Sequence, residues 1–206
     1  APAVAVPNTF VWNDDTEHAW AATGVRWVVT CGRQYIGRAA DGGLGPALQQ
    51  IRNGEAGRDG LRYVVRDVYF EPIRGHQAEA VWQAVAQRSA LGRPSLLETH
   101  RESFIDPAAG EATLAELDRA LRGVVARHPD VRFMSTEALC ELFMDRCNPL
   151  HVQSLTARCA IFLRRLHAEP GLSRSLKLCG LYFVLPLASR LLTAVKPTVV
   201  DVQGQC

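Results

Sequence analysis

Leu61-Arg62-Tyr63-Val64-Val65 opens a stretch that runs through Asp67-Val68-Tyr69-Phe70-Glu71-Pro72 and Gln77 to Ser89, and closes on Ser95-Leu96-Leu97-Glu98-Thr99-His100. The first segment is rich in β-branched and aromatic residues and reads as a strand. Asp67 to Pro72 turns the chain. Gln77 to Ser89 places Ala80, Val81, Ala84 and Val85 on one side of a helix, which Gly92 and Pro94 end. Ser95 to Thr99 is then a second strand, and His100 stands at its C-terminal end. Strand, helix, strand is the unit of a parallel sheet, because two parallel strands need a long crossover between them.

The same grammar extends in both directions. Upstream, Asn13-Asp14-Asp15-Thr16-Glu17 predicts a helix start, since Asn or Asp can cap free amides and early acids suit the positive end of the dipole. That helix runs through Trp20 to Gly24, and Val25 to Thr30 follows as a strand. Cys31 to Gly60 is rich in glycine and lacks periodicity, so it reads as a long surface loop, either functional or a mobile insertion. Downstream, Leu114, Leu117, Leu121, Val124 and Val125 recur at helical spacing within Glu111 to His128. Val131 to Met134 reads as a further strand. Thr136 opens a short helix with Leu139, Leu142 and Phe143 inward. The expected fold is therefore α/β, a parallel sheet with covering helices. An open doubly wound sheet and part of a barrel both fit, and in both, functional residues gather at the C-terminal ends of strands.

Asn148-Pro149 marks a boundary, giving one segment over 1–147 and a basic, apolar helical tail over 148–206. The tail carries Arg158, Arg164, Arg165 and Arg174 and an apolar run from Leu178 to Ala188. That run is short of the roughly 20 apolar residues a spanning helix needs, and it contains Pro186. An amphipathic contact with a membrane surface through 172–195 is one reading, and packing on the domain or a partner is the other.

Composition narrows the classes. The 206 residues are 48% hydrophobic, enough for a core, and the net charge of +2 argues against a dedicated nucleic-acid binder. Six cysteines show no C-x-x-C pair, so they read as reduced and structural rather than as zinc ligands or a disulfide framework. Ala1 to Pro7 is too short and lacks the positive flank of a signal peptide, so Ala1 reads as a point of processing, cloning or truncation. The expected location is the cytoplasm or the inner-membrane periphery. Walker, Rossmann, G-x-S-x-G and H-E-x-x-H motifs do not occur.

Two constellations can carry chemistry. His100 is delivered by an apolar strand to the functional edge of the sheet and can serve as acid, base or ligand near neutral pH. Glu71 also follows a strand and can share its cleft, or be a solvated turn carboxylate. Trp12-Asn13-Asp14-Asp15 joins an aromatic ring to polar groups, as a sugar site does, and equally reads as an ordinary helix cap.

Pro7-Asn8-Thr9-Phe10-Val11-Trp12-Asn13-Asp14, the following A-x-x-G-V-R-W-V-V-T, Leu96-Leu97-Glu98-Thr99-His100-Arg101 and Pro129-Asp130-Val131-Arg132-Phe133-Met134-Ser135-Thr136-Glu137 resemble the later part of polysaccharide-deacetylase-like proteins. These belong to the glycoside hydrolase/deacetylase β/α-barrel superfamily, and the similarity covers roughly residues 7–144. The resemblance implies a partial β/α barrel and a hydrolase acting on N-acetylated glycans, in which a divalent metal polarises the amide carbonyl. It implies His100 as general acid, Asp14 as a second catalytic group, and Trp12, Asn13, Glu71 and Arg101 lining the sugar site. The family's Asp-Asp pair on the first strand and its H-x-x-x-H metal pair do not occur, and neither does the usual Arg-x-Pro form of the cleft-lining motif. No metal site is therefore expected within this chain, and the chain by itself is expected to be inactive. A complete protein would carry the metal. A non-catalytic carbohydrate-binding or membrane-surface scaffold is the alternative. Half a barrel exposes strand edges, so self-association is also expected.

Overall fold

The computed structural model describes residues 2–35, 37–145 and 147–194. It is a mixed α/β chain. Two compact units divide it: Ala1–Ala84 with Ser95–Met144, and Val85–Pro94 with Asp145–Cys206.

In the first unit the order begins β1 (Val4–Ala5), α1 (Asp14–Ala22), β2 (Trp27–Thr30), β3 (Arg33–Tyr35), β4 (Ala47–Gln50), β5 (Arg62–Val65) and β6 (Val68–Tyr69). It continues through α2 (Ala78–Ala90), β7 (Leu97–Glu98), α3 (Glu102–Ile105), α4 (Gly110–Arg127) and α5 (Thr136–Met144). The last turns of α2 belong to the second unit. Strands β1, β2 and β5 form a parallel sheet in that order, with Trp27 opposite Arg62 and Thr30 opposite Val65. Strands β6 and β7 form a second parallel pair, Val68 opposite Leu97 and Tyr69 opposite Glu98. Since β5 and β6 are separated only by Arg66-Asp67, one stretch of chain bonds β2 with its first half and β7 with its second. The parallel ladder thus follows chain order. It does not close into a barrel among the described residues.

Both faces of the central strands are buried, and the sequence alternation shows how. Val28, Tyr63 and Val65 join Trp12, Val25, Ile51 and Leu61 on one face. Trp27, Val29 and Val64 join Leu139 and Cys140 on the other. Successive side chains on a strand point to opposite faces, so a run such as Trp27-Val28-Val29 is apolar throughout only where both faces are covered. Asn13 caps α1 as the sequence predicts, its side-chain oxygen accepting from the Thr16 N–H at 3.0 Å. Gly24 follows that helix with φ +92°, a conformation that favours glycine.

Three expectations need correction. Asp67 to Pro72, expected as a turn, contains strand β6, because Val68 and Tyr69 find the β7 edge beside them. Cys31 to Gly60 is not a featureless loop: β3 and β4 form an antiparallel hairpin within it, with a bulge between Gln34 and Tyr35. The pairing is fixed by side chains, since Gln49 donates to Gln34 at 2.8 Å and Gln34 is itself buried, while Ile51 enters the core. Val131 to Met134, expected as a strand, forms none. Its backbone turns back instead, with the Val131 N–H donating to His128 O at 2.9 Å, and Phe133 is 66% exposed. A short β-prone run forms a strand only where a neighbouring edge is in reach.

The second unit contains α6 (Leu155–Ala168), α7 (Pro170–Leu178) and α8 (Leu181–Ala194), with α6 packed on α8. Arg165 donates to Leu91 O at 2.7 Å and to Gly92 O at 2.8 Å, satisfying carbonyls left free just beyond the end of α2. Residues 195–206, which include the end of the 172–195 segment, lie outside the described residues.

Candidate acid–base site at the edge of the parallel sheet

Strands β6 and β7 are neighbours and parallel, so the residues that leave their C-terminal ends emerge side by side. Glu71 leaves β6 and His100 leaves β7. The Phe70 N–H donates to Glu98 O at 2.8 Å and sets the register that aligns them. His100 Nδ1 lies 2.5 Å from Glu71 Oε1, and the His100 backbone N–H donates to the same oxygen at 2.7 Å. The Ser103 hydroxyl donates to Oε2. Ser103 is held in turn by α3, its N–H donating to His100 O at 3.1 Å, and its own carbonyl accepts from the Thr113 hydroxyl.

Glu71 is 2% exposed, whereas the His100 side chain is 54% exposed. A buried carboxylate therefore meets a half-open imidazole. Burial alone would push the Glu71 carboxyl up. Hydrogen bonds from the Ser103 hydroxyl, the His100 ring and the His100 N–H outweigh it and hold the group below its ordinary 4.5. Glu71 is thus ionised at neutral pH and accepts only. His100 Nδ1 must then carry hydrogen, leaving Nε2 as the nitrogen that takes or gives a proton.

His76 completes the rim. The Glu71 backbone N–H donates to His76 Nδ1 at 3.0 Å. An amide can only donate, so neutral His76 keeps its hydrogen on Nε2. The Tyr69 ring stands edge-on to both imidazoles, 5.2 Å from His76 and 6.3 Å from His100 between centroids, and is itself exposed. Tyr69, His76 and Ser103 escaped the sequence reading. Tyr69 alone carried a signal, the alternation of Val68-Tyr69-Phe70, which turns it away from buried Phe70.

The other constellation is built differently. Trp12 is 4% exposed and its indole N–H donates to Glu17 Oε1 at 2.7 Å. The same carboxylate, also buried, accepts from the Tyr63 hydroxyl at 2.5 Å and from the Arg58 N–H at 3.0 Å. Burial and the Glu17 carboxylate push the Tyr63 phenol well up, so it stays a donor. Asn13 spends its oxygen on the helix cap. Asp14 pairs with Arg58 at 2.6 Å, both well exposed. Trp12 therefore bonds to Glu17, Asn13 to Thr16 and Asp14 to Arg58, while Glu71 bonds with His100, Ser103 and His76. Arg101 is exposed at the start of α3.

Among the described residues no group of three or more His, Cys, Asp or Glu side chains gathers as metal ligands do. The Glu71 oxygens already accept three hydrogen bonds, and His76 and His100 each commit Nδ1. Cys31, Cys140, Cys159 and Cys179 carry free thiols, and burial pushes Cys140 up to about 12.

Compared with known proteins, the chain matches no family model, no curated protein and no solved structure.

Proposed function

We propose that this chain is the later part of a carbohydrate-active hydrolase resembling polysaccharide deacetylases, and that His100 is its general acid. One observation carries the reading: the half-exposed His100 ring, bonded through Nδ1 to buried Glu71 at the C-terminal edge of two parallel strands. A general acid must keep one nitrogen toward substrate and hold its ring still. Glu71 does the second by accepting from Nδ1, which leaves Nε2 as the nitrogen that faces out. Protonating a leaving amine from Nε2 would release the sugar amine and leave the ring neutral. Exposed Tyr69 offers a ring face to an apolar sugar face, and the His76 Nε2–H offers a donor to a hydroxyl or an acetamide oxygen. The metal of such an enzyme would come from a part of the fold outside these residues, so this chain by itself is inactive.

In the complete enzyme, His100→Ala should lower acetate release from an N-acetylated oligosaccharide by roughly 10²–10⁴-fold. The fold should stay intact by circular dichroism, with the melting temperature lowered by the loss of the ring's bond to Glu71, whose oxygens keep the His100 N–H and Ser103 hydroxyl donors. Unchanged turnover sinks the assignment. A second reading, a non-catalytic carbohydrate-binding scaffold, rests on the missing Asp-Asp and H-x-x-x-H motifs. An enzyme-sized gene product that also lacks them, yet binds the oligosaccharide, would favour it.

A further inference from the structure

The C-terminal helices carry a charge and an apolar face that the Glu71–His100 site does not use. Residues 148–206 hold five Arg and two Lys against Glu169 and Asp201, a net charge of +5. Residues 1–147 hold the remaining 16 basic and 19 acidic residues, a net charge of −3. The cationic character of the chain is therefore confined to its tail.

On α8, Phe183 is 74% exposed, and Val184, Leu187 and Leu191 are exposed with it. At about 100° per residue, these four positions fall within an arc of about 100°. Leu185 and Ser189, on the far side, are buried. Arg190 is exposed at the margin of the arc. Leu178, which closes α7, is 84% exposed, and beside it the exposed Lys177 holds its ammonium 5.0 Å from the Tyr182 ring centroid. No helix among the described residues is long and apolar enough to cross a membrane. An apolar arc on a short helix, with one cation at its margin and another on the preceding helix, suits a position flat in a bilayer interface. Seven cations against two anions suit an anionic surface better than a second copy of the same basic helices, which they would repel.

We propose that α8 docks this chain on an anionic lipid bilayer. Phe183, Val184, Leu187 and Leu191 enter the acyl boundary, and Lys177 and Arg190 meet the headgroups.

The test is co-sedimentation of the full chain with phosphatidylcholine vesicles, with and without phosphatidylserine. Binding should be at least about tenfold tighter with phosphatidylserine, and each cation removed in Lys177→Gln and Arg190→Gln should weaken it roughly fivefold. Phe183→Ser with Leu187→Ser should lower partitioning at least about tenfold. Circular dichroism should stay unchanged, because both side chains face solvent. Binding to neither vesicle, or equal binding by the Phe183→Ser/Leu187→Ser variant, overturns the proposal. So does a lipid-free dimer in sedimentation velocity that this variant dissolves, since a second copy would then cover the face.

Discussion

Glu71→Gln is the substitution that separates a built carboxylate from an incidental one. The side chain is almost fully enclosed and accepts three hydrogen bonds, from the His100 ring, the His100 N–H and the Ser103 hydroxyl. Glutamine keeps the shape and one accepting oxygen, but it loses the charge. Hydrogen bonds to a charged group are worth about 1.5–3 kcal/mol and neutral ones about 0.5–1.5 kcal/mol, so the loss should be roughly 2 kcal/mol. Glu71→Ala should cost more, roughly 3–5 kcal/mol, because it also leaves buried donors unpaired. Urea titration of the full chain followed by circular dichroism reads both. The pH dependence adds a second handle. The folded carboxyl titrates below 4.5. Its contribution is therefore fully present above that value and fades as pH falls through the lower, folded value. Glu71→Gln should flatten that part of the acid limb. Two variants as stable as the parent, with the acid limb intact, would refute the reasoning.

Other outcomes follow from the same packing. Trp12→Ala should destabilise the chain by about 3–5 kcal/mol in urea titration, as a core residue does, whereas a cleft-lining tryptophan could be removed at little cost. At Gly123 an added Cβ would overlap the Trp82 indole, which is pinned by its bond to Ala120 O and by the Arg127 guanidinium 3.7 Å from its ring centroid. Gly123→Ala should therefore cost about 1–3 kcal/mol and lower the thermal midpoint. Alkylation followed by peptide mapping should label exposed Cys159 and Cys179 in the folded chain. Cys140, buried and titrating only near 12, should react only after unfolding.

Local rules carried the sequence reading far where the decisive contacts are near in the chain. The Asn13 cap is made by Thr16, three residues on, and the helix start was legible for that reason. The alternation of strands and helices announced a parallel sheet with covering helices, and the β–α–β grammar of residues 61–100 put Glu71 and His100 at strand ends. Reading failed where the partner is distant. The β3–β4 hairpin needs Gln34 to find Gln49 across an irregular, glycine-rich stretch. Val131 to Met134 has the composition of a strand and no edge to pair with. Trp12 reads from its neighbours either as a ring offered to a sugar or as part of a helix cap, and its burial depends on Glu17 and on Tyr63, the latter 51 residues away in sequence.

The sequence by itself therefore determined an α/β fold with a parallel sheet, a helical and basic tail, and the identity of the two residues at the sheet edge, because period-2 and period-3.6 patterns are properties of neighbouring residues. Only the tertiary structure decided that Glu71 is buried and triply bonded, that His100 stays half open beside it, that His76 and Tyr69 share the rim, and that Trp12 belongs to the core. Those facts depend on parallel strands aligned by a register no short motif encodes. They depend equally on α3 turning back to lay Ser103 against a carboxylate that lies 32 residues earlier in the chain.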